Sequence, residues 1–412
     1  MSAPLPADRE ALATTPSRGT PLEVFLVALR LGVTSFGGPI AHLGYFRAEY
    51  VQRRQWLDES TFADLVALSQ FLPGAASSKL GISIGVLRAG LPGGLAAWLA
   101  FTLPSAIAMV LFALSLQSIG EQAAGWLHGL KIVAVAAVAL AVWSMARNLA
   151  WDRARGTIAL VSAAAILAVQ VPAMLVAVIV LAGLIGWRFL PVPGIESRPH
   201  VNVPMPRSVW IASAILYFVF LIALPILASV TGSQAVALFD AFYRAGALVF
   251  GGGNVVLPLL QPAVVPPGWM SNDTFLAGYA AAQAVPGPLF TLSAFLGAAM
   301  IPEPNGWAGA AIALVAIFLP SFFLAFVALG TWGMLRSRPA VQAVLRGVNA
   351  AVVGVLLAAL YTPVITTSIF KPIDAALALV AFAMLGVWKI PPWAVVLVTA
   401  AGGAALRALG LS

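Results

Sequence analysis

Cysteine is absent from the 412-residue chain, so neither a disulfide framework nor a thiolate metal centre is open to it. Charge is almost as scarce. Asp, Glu, Lys and Arg make up 9% of the residues, where soluble proteins carry about 25%. Histidine is limited to His42, His128 and His200, which lack metal-ligand spacing. There is no Gly-x-Gly-x-x-Gly, no P-loop and no His-Glu-x-x-His. These absences exclude a soluble globular enzyme and a disordered chain. No metal, no cofactor and no enzymatic activity are expected.

Apolar residues fill the space, at 61% of the chain. A spanning helix needs about 20 of them in a row. Hydrophobic segments lie at about 22–46, 61–86, 90–118, 126–149, 157–170, 172–190, 208–230, 236–262, 273–300, 307–334, 341–362, 373–387 and 391–410. The chain therefore reads as an all-α polytopic membrane protein whose main surroundings are the lipid bilayer. Residues 1–21 hold no apolar run, so they read as a disordered cytoplasmic tail rather than a signal peptide. The Pro-rich stretch 191–207 is the one clear linker. The net charge of +8 would suggest nucleic acid in a soluble protein. Here it is read as Lys and Arg gathered in cytoplasmic loops, with no nucleic-acid partner.

The chain repeats itself. Arg30, Phe36, Gly37 and Gly38 match Arg244, Phe250, Gly251 and Gly252. Trp56 to Phe62 matches Trp269 to Phe275. Gln70, Pro73 and Gly74 match Gln283, Pro286 and Gly287. Pro104-Ser105 matches Pro320-Ser321, and Gly129-Leu-Lys131 matches Gly347-Val-Asn349. Order is kept throughout. Two homologous halves, 22–190 and 231–412, are thus joined by the linker 191–207 and a connector helix at 208–230. Six segments plus the connector put seven crossings before the second half, which then enters the membrane inverted, as in secondary transporters.

The basic residues refine the topology. If all thirteen segments crossed, Arg47, Arg53 and Arg54 would fall outside, against the positive-inside rule. Re-entrant helical hairpins at the Phe-Gly-Gly and Pro-Gly motifs bring them inside. Sixteen of the 22 Lys and Arg then lie inside, Lys371 and Arg407 outside, and Arg30, Lys79, Lys131 and Arg244 within segments. This places the N-terminus in the cytoplasm and the C-terminus in the periplasm.

Chemistry is expected where helices break. Pro and Gly end a helix, and Ser77, Ser78 or Thr291 suit the start of the next. Such an end offers free N–H groups and partial positive charge to an anion. The bends at Gln70-Phe-Leu-Pro73-Gly74 and Gln283-Ala-Val-Pro286-Gly287 are matched by inversion and can meet near the midplane. An ordinary kinked helix is the competing reading. Gly37, Gly38, Gly251 and Gly252, with Asn254, allow close backbone approach, although tight helix packing explains such glycines equally well. His42 is a proton carrier or, more simply, the residue that fixes its hairpin. Arg30, Lys79, Arg244 and Lys131 are embedded cations and point to an anionic ligand. Snorkelling, or pairing of Arg244 with Asp240, competes. His42, Arg54, Arg88, Lys131 and Asn349 are placed in a vestibule or gate. A Ser/Lys dyad at Ser77-Ser78-Lys79 is disfavoured because the second half lacks it.

Taken together, Phe36-Gly-Gly-Pro-Ile-Ala-His42, Arg54-Gln-Trp56-Leu57, Gln70-Phe-Leu-Pro73-Gly74, Gly85 with Arg88 and Gly90, Phe101-Thr-Leu-Pro104-Ser105, Phe250-Gly-Gly-Gly-Asn254, Gln283-Ala-Val-Pro286-Gly287-Pro288 and Leu319-Pro320-Ser321 resemble the long, two-domain type of the chromate transporter family. The resemblance runs from about residue 22 to 410. It implies a bacterial inner-membrane protein that exports chromate, driven by membrane potential or a proton gradient, and confers chromate resistance. Chromate is a small dianion, which suits the anion site read from the residues. A carrier of sulfate or another oxyanion, and a passive anion channel, remain open alternatives. So does association into a homodimer.

Overall fold

The computed structural model describes residues 19–119, 124–169, 171–191, 205–250, 252–336 and 338–410, and among them every regular element is helical. The tail expected over 1–21 and the linker over 191–207 fall mostly outside these residues, as does Gly251. Five helical stretches are long and apolar enough to cross a membrane: Ala76–Leu116, which is two helices joined at Ala89-Gly90, Gly125–Leu149, Arg207–Thr231, Gly306–Thr331 and Pro339–Ile365. Large apolar side chains such as Phe218, Ile222 and Val230 face outward, as a lipid-facing surface requires.

The first half holds α1 (Pro21–Thr34), α2 (Gly38–Phe46) with a π-helical turn at Arg47–Arg53, α3 (Glu59–Phe71), α4 (Ala76–Ile119), α5 (Ala124–Leu149), α6 (Arg153–Ala168) and α7 (Pro172–Phe189). The connector is α8 (Arg207–Thr231). The second half holds α9 (Gln234–Leu248), α10 (Val256–Val264), α11 (Asn272–Ala284), α12 (Leu292–Ala299), α13 (Gly306–Arg336), α14 (Pro339–Ala359), α15 (Pro372–Gly386) and α16 (Pro392–Ala408). Local chemistry repeats with the sequence. Asp58 caps α3 by accepting from Thr61 N at 2.7 Å, and its repeat mate Ser271 caps α11 by accepting from Thr274 N at 3.1 Å.

Two bundles result. α1–α4 pack with α8–α13 in an inner bundle, and α5–α7 pack with α14–α16 in an outer one. The outer bundle is joined across halves through glycines. Gly129 lies against Thr399 and Ala400, and Gly125 against Ala404, so α5 and α16 run antiparallel. Gly186 lies against Ala343 and Gly183 against Val348, so α7 and α14 run antiparallel too. Short connections make α7 parallel to α5. α14 therefore opposes α5, its own repeat mate, and the halves are inverted.

Beside the long α8 and α13, the inner bundle contains short helices. α1 has 14 residues and α3 and α11 have 13 each, about 20 Å apiece, short of an apolar thickness of about 30 Å. α4 doubles back at Ala89 and Gly90, where Gly90 has φ 68°. A Cβ on Gly85 would lie 2.9 Å from Ala97 Cβ, a distance no continuous helix gives for residues twelve apart. Around α2 the chain returns to where it began: Arg88 pairs with Glu23 of α1 at 3.1 Å and lies 4.9 Å over the Trp56 ring. The ends of α1 (start), α2, α3 (start) and the α4 turn thus share one Arg-rich end of the molecule. At the opposite end Ile301 N bonds Trp269 O at 2.8 Å, and Asn272 bonds Thr367.

A side chain at the tightest crossing should break the outer bundle. Gly347→Val would drive its Cβ into the Ala182 carbonyl, and overpacking of this kind costs about 1–3 kcal/mol or more. The purified variant in detergent should melt at a clearly lower temperature, or elute as aggregate on size exclusion.

Candidate functional site

The four helix breaks of the inner bundle meet in two reciprocal pairs. Gly74 N donates to Val249 O at 2.7 Å, and Gly287 N donates to Ser35 O at 2.9 Å. Gly74 and Gly287 are repeat mates, and so are Ser35 and Val249. Each Pro-Gly bend therefore rests on the end of the other half's first helix. The glycines are required: φ is 102° at Gly74 and 92° at Gly287, in the left-handed region that side chains disfavour. Space is limited as well. A Cβ on Gly74 would sit 2.6 Å from Ser321 Oγ, and one on Gly287 would sit 2.9 Å from Ser105 Oγ. Gly37, Gly38 and Gly252 also take positive φ, at 98°, 76° and 135°.

The symmetry is broken one residue later. Ala75 N donates to Ser321 Oγ at 3.1 Å. Pro288 stands at the matching place and has no N–H, so Ser105 Oγ turns to Thr102 O at 3.0 Å. Lys79 departs further. It is fully buried, and its ammonium donates to the carbonyls of Leu72 and of Pro73, the latter at 2.8 Å. It closes the carboxyl end of α3, whose last carbonyls have no helical partner. Pro73, Pro286, Ser77 and Ser78 lie at the bends themselves; Ser77 and Ser78 are buried.

Unpaired polar groups concentrate in the first half. Ser35 Oγ, Ser69 Oγ, Ser78 Oγ, Thr102 Oγ1 and His42 Nδ1 are buried with no hydrogen-bond partner. His42 Nε2 donates to Ser35 O at 3.2 Å, and its ring packs on Phe46 and Phe101. At the second half's bends the polar groups are satisfied. Asn254 Oδ1 accepts from Tyr279 at 3.0 Å and from Gln283 at 3.1 Å, and Thr291 donates to Pro288 O at 2.9 Å. Gln70, the mate of Gln283, is exposed instead.

The other embedded cations are placed away from the bends. Glu49, almost buried, gathers Arg54 at 2.7 Å, Arg53 at 3.1 Å and Arg30 at 3.9 Å. Arg30 and Arg54 thus belong with Arg88 and Arg47 at the Arg-rich end. Arg244 pairs with Asp240 at 2.5 Å, four residues earlier. Lys131 pairs with Asp273 at 3.0 Å near the Phe370 ring. Asn349 is half-buried on α14. Gln70, Ser77, Ser78 and Lys79 therefore flank the first bend and Asn254, Gln283 and Thr291 the second, while Arg30, Arg54, Arg88, Arg244, Lys131 and Asn349 flank neither. Ser35, Ser69, Thr102, Ser105 and Ser321 are not assigned to the site by the sequence. The doubled Leu-Pro-Ser at Leu103 and Leu319 was the signal for Ser105 and Ser321, since a hydroxyl kept at a matched place beside Pro marks a polar contact.

Removal of the Lys79 ammonium leaves two buried carbonyls unpaired. Lys79→Met should cost about 1–3 kcal/mol, read as a lowered melting temperature of the purified protein.

The model of the family described as "Chromate transporter" matches residues 22–187 and again 236–405. A "Chromate transport protein" of Pseudomonas aeruginosa is 27% identical over 409 residues, covering 95% of this chain and 94% of that one. One from Cupriavidus metallidurans is 27% identical over 93% of both chains. A "Probable chromate transport protein" of Synechococcus elongatus is 28% identical over 80% of this chain and 81% of its own. No solved structure matches. The two matched stretches coincide with the two inverted halves, and the chain belongs to the chromate transporter family.

Proposed function

We propose that this multi-pass membrane protein carries chromate out of the cytoplasm by alternating access. The observation that carries the reading is the reciprocal seating of each Pro-Gly bend on the end of the other half's first helix, Gly74 on Val249 and Gly287 on Ser35, beside unpartnered hydroxyls on the first half. A tetrahedral dianion accepts hydrogen bonds at every oxygen. Ser78, Ser69, Thr102 and Ser35 supply donors, and the start of α4 adds backbone N–H groups and its dipole. Lys79 acts by holding the α3 end against the bend rather than by touching the anion. Its positive charge still lies a few bonds from the site.

The Arg-rich end is assigned to the cytoplasm, following the positive-inside rule. Arg30, Arg54 and Arg88 then attract the dianion toward α3, whose exposed face ends at Gln70. In this assignment α1–α2 and α3 with the first arm of α4 are re-entrant hairpins, as are α9–α10 and α11–α12. The domains are a first repeat at 22–190, a connector at 208–230 and an inverted repeat at 231–412, in a bacterial inner membrane with a cytoplasmic N-terminus. Membrane potential favours outward movement of an anion, at about 2.3 kcal/mol per charge per 100 mV. That suffices to drive export, with or without a proton held at His42.

Everted vesicles test the reading directly. Saturable chromate uptake is expected, collapsed by an uncoupler and inhibited weakly by equimolar sulfate. Equal inhibition by sulfate makes the protein a general oxyanion carrier, unsaturable flux makes it a channel, and no uptake of either anion removes the substrate assignment. Ser78→Ala should raise the half-saturating chromate concentration about tenfold or more with the protein amount in the membrane unchanged, since a hydrogen bond to a charged group contributes about 1.5–3 kcal/mol.

A further inference from the structure

α3 and α11 are repeat mates of equal length, yet their surroundings differ. α11 lies along α5 and α16 of the outer bundle, while α3 has no comparable seat on α14 or α7, the helices related to those by the inversion. One face of α3, Ser60, Ala63, Ala67 and Gln70, is exposed. The matching residues of α11 include Leu276 and Ala280, both fully buried. The uncovered face carries two alanines between Ser60 and Gln70, without the large Leu, Ile and Phe that α8 turns outward, and so suits water better than lipid. On the alternating-access reading this is the state open at the Arg-rich end and closed at the other.

The closed end is fastened by charge. Lys131 of α5 donates to Asp273 at the start of α11 at 3.0 Å, with its ammonium 5.6 Å from the Phe370 ring. This pair joins the outer bundle of one half to the inner bundle of the other. The inversion maps Lys131 onto Asn349 and Asp273 onto Ser60. Those two are neutral, and Ser60 bonds Asp58 instead, at 2.7 Å.

We propose that Lys131 and Asp273 form the gate of the closed end, that Ser60 and Asn349 form the corresponding gate once α3 moves onto α14, and that the charge present in only one gate sets the resting state open toward the Arg-rich end. In an inverted-repeat carrier the two states exchange the conformations of the halves. Exact symmetry would leave the states equally populated. An ion pair in one gate and a neutral pair in the other removes that equality, so the carrier waits with its site facing the Arg-rich vestibule. The proposal rests on the alternating-access reading above, but not on the identity of the cargo.

The natural chain has no Cys, so cross-linking needs no background removal. Lys131→Cys with Asp273→Cys should form a cross-link in membranes in high yield. Ser60→Cys with Asn349→Cys should cross-link poorly in the otherwise natural chain. Adding Lys131→Asn to that second pair should raise its yield about three- to fivefold, the population shift that a partly exposed ion pair supports. Exchanging the charges, Lys131→Asp with Asp273→Lys, should return the yield to its low value. This second variant separates loss of the latch from loss of the fold. A Ser60–Asn349 yield unmoved by Lys131→Asn overturns the proposal, as does a yield that stays raised in the charge exchange. No substrate enters the measurement, so a failed chromate assay leaves it intact.

Discussion

Backbone hydrogen bonding inside a bilayer governs this fold. A helix broken at membrane depth exposes N–H and C=O groups that lipid cannot satisfy. Each Pro-Gly bend here solves the problem with the other half: Gly74 N on Val249 O and Gly287 N on Ser35 O. Neither break is tolerable alone, because its partner atom belongs to the opposite repeat. The remaining carbonyls of the first break are met by Lys79 and the next amide by Ser321. Irregular backbone, the feature a carrier needs around its cargo, is thus stabilised by symmetry.

Symmetry also makes the departures informative. The second half closes its polar groups internally through Tyr279, Asn254 and Gln283, while the first leaves hydroxyls and His42 Nδ1 unpartnered. Pro288 in place of Ala75, and Leu292 in place of Lys79, are single-residue differences that separate the two bends. One half reads as the packed support and the other as the side that meets the ligand. The Arg cluster around Glu49 belongs to that same first half, so on the proposed reading the approach and the site lie on one repeat.

Much of this was legible in the sequence. The thirteen apolar segments, the repeat and its inversion follow from composition, spacing and parity, and the helix breaks fall at the Phe-Gly-Gly and Pro-Gly motifs that flagged them. Side-chain partners were not legible. Arg30 and Lys79 look alike as embedded cations, but one reaches outward to Glu49 and the other is consumed by carbonyls seven and six residues behind it. Pairing depends on helix rotation, which apolar periodicity leaves loose when every face is hydrophobic. Ser105 and Ser321 showed as a repeated motif, but not their roles, because the bends they lie against, Gly287 and Ala75, are more than 180 residues away in sequence, across the halves.

The glycine crossings of the outer bundle have a consequence for biogenesis. α5 is seated on α16, and α7 on α14, with backbones touching at Gly129 and Gly186. A ribosome delivers the first half to the membrane well before the second. Until then α5 and α7 present bare glycine-lined grooves to lipid, where close packing has no partner. The first half must therefore wait, inserted but unassembled, until the last helix emerges. The outer bundle is complete only once both halves are in the membrane.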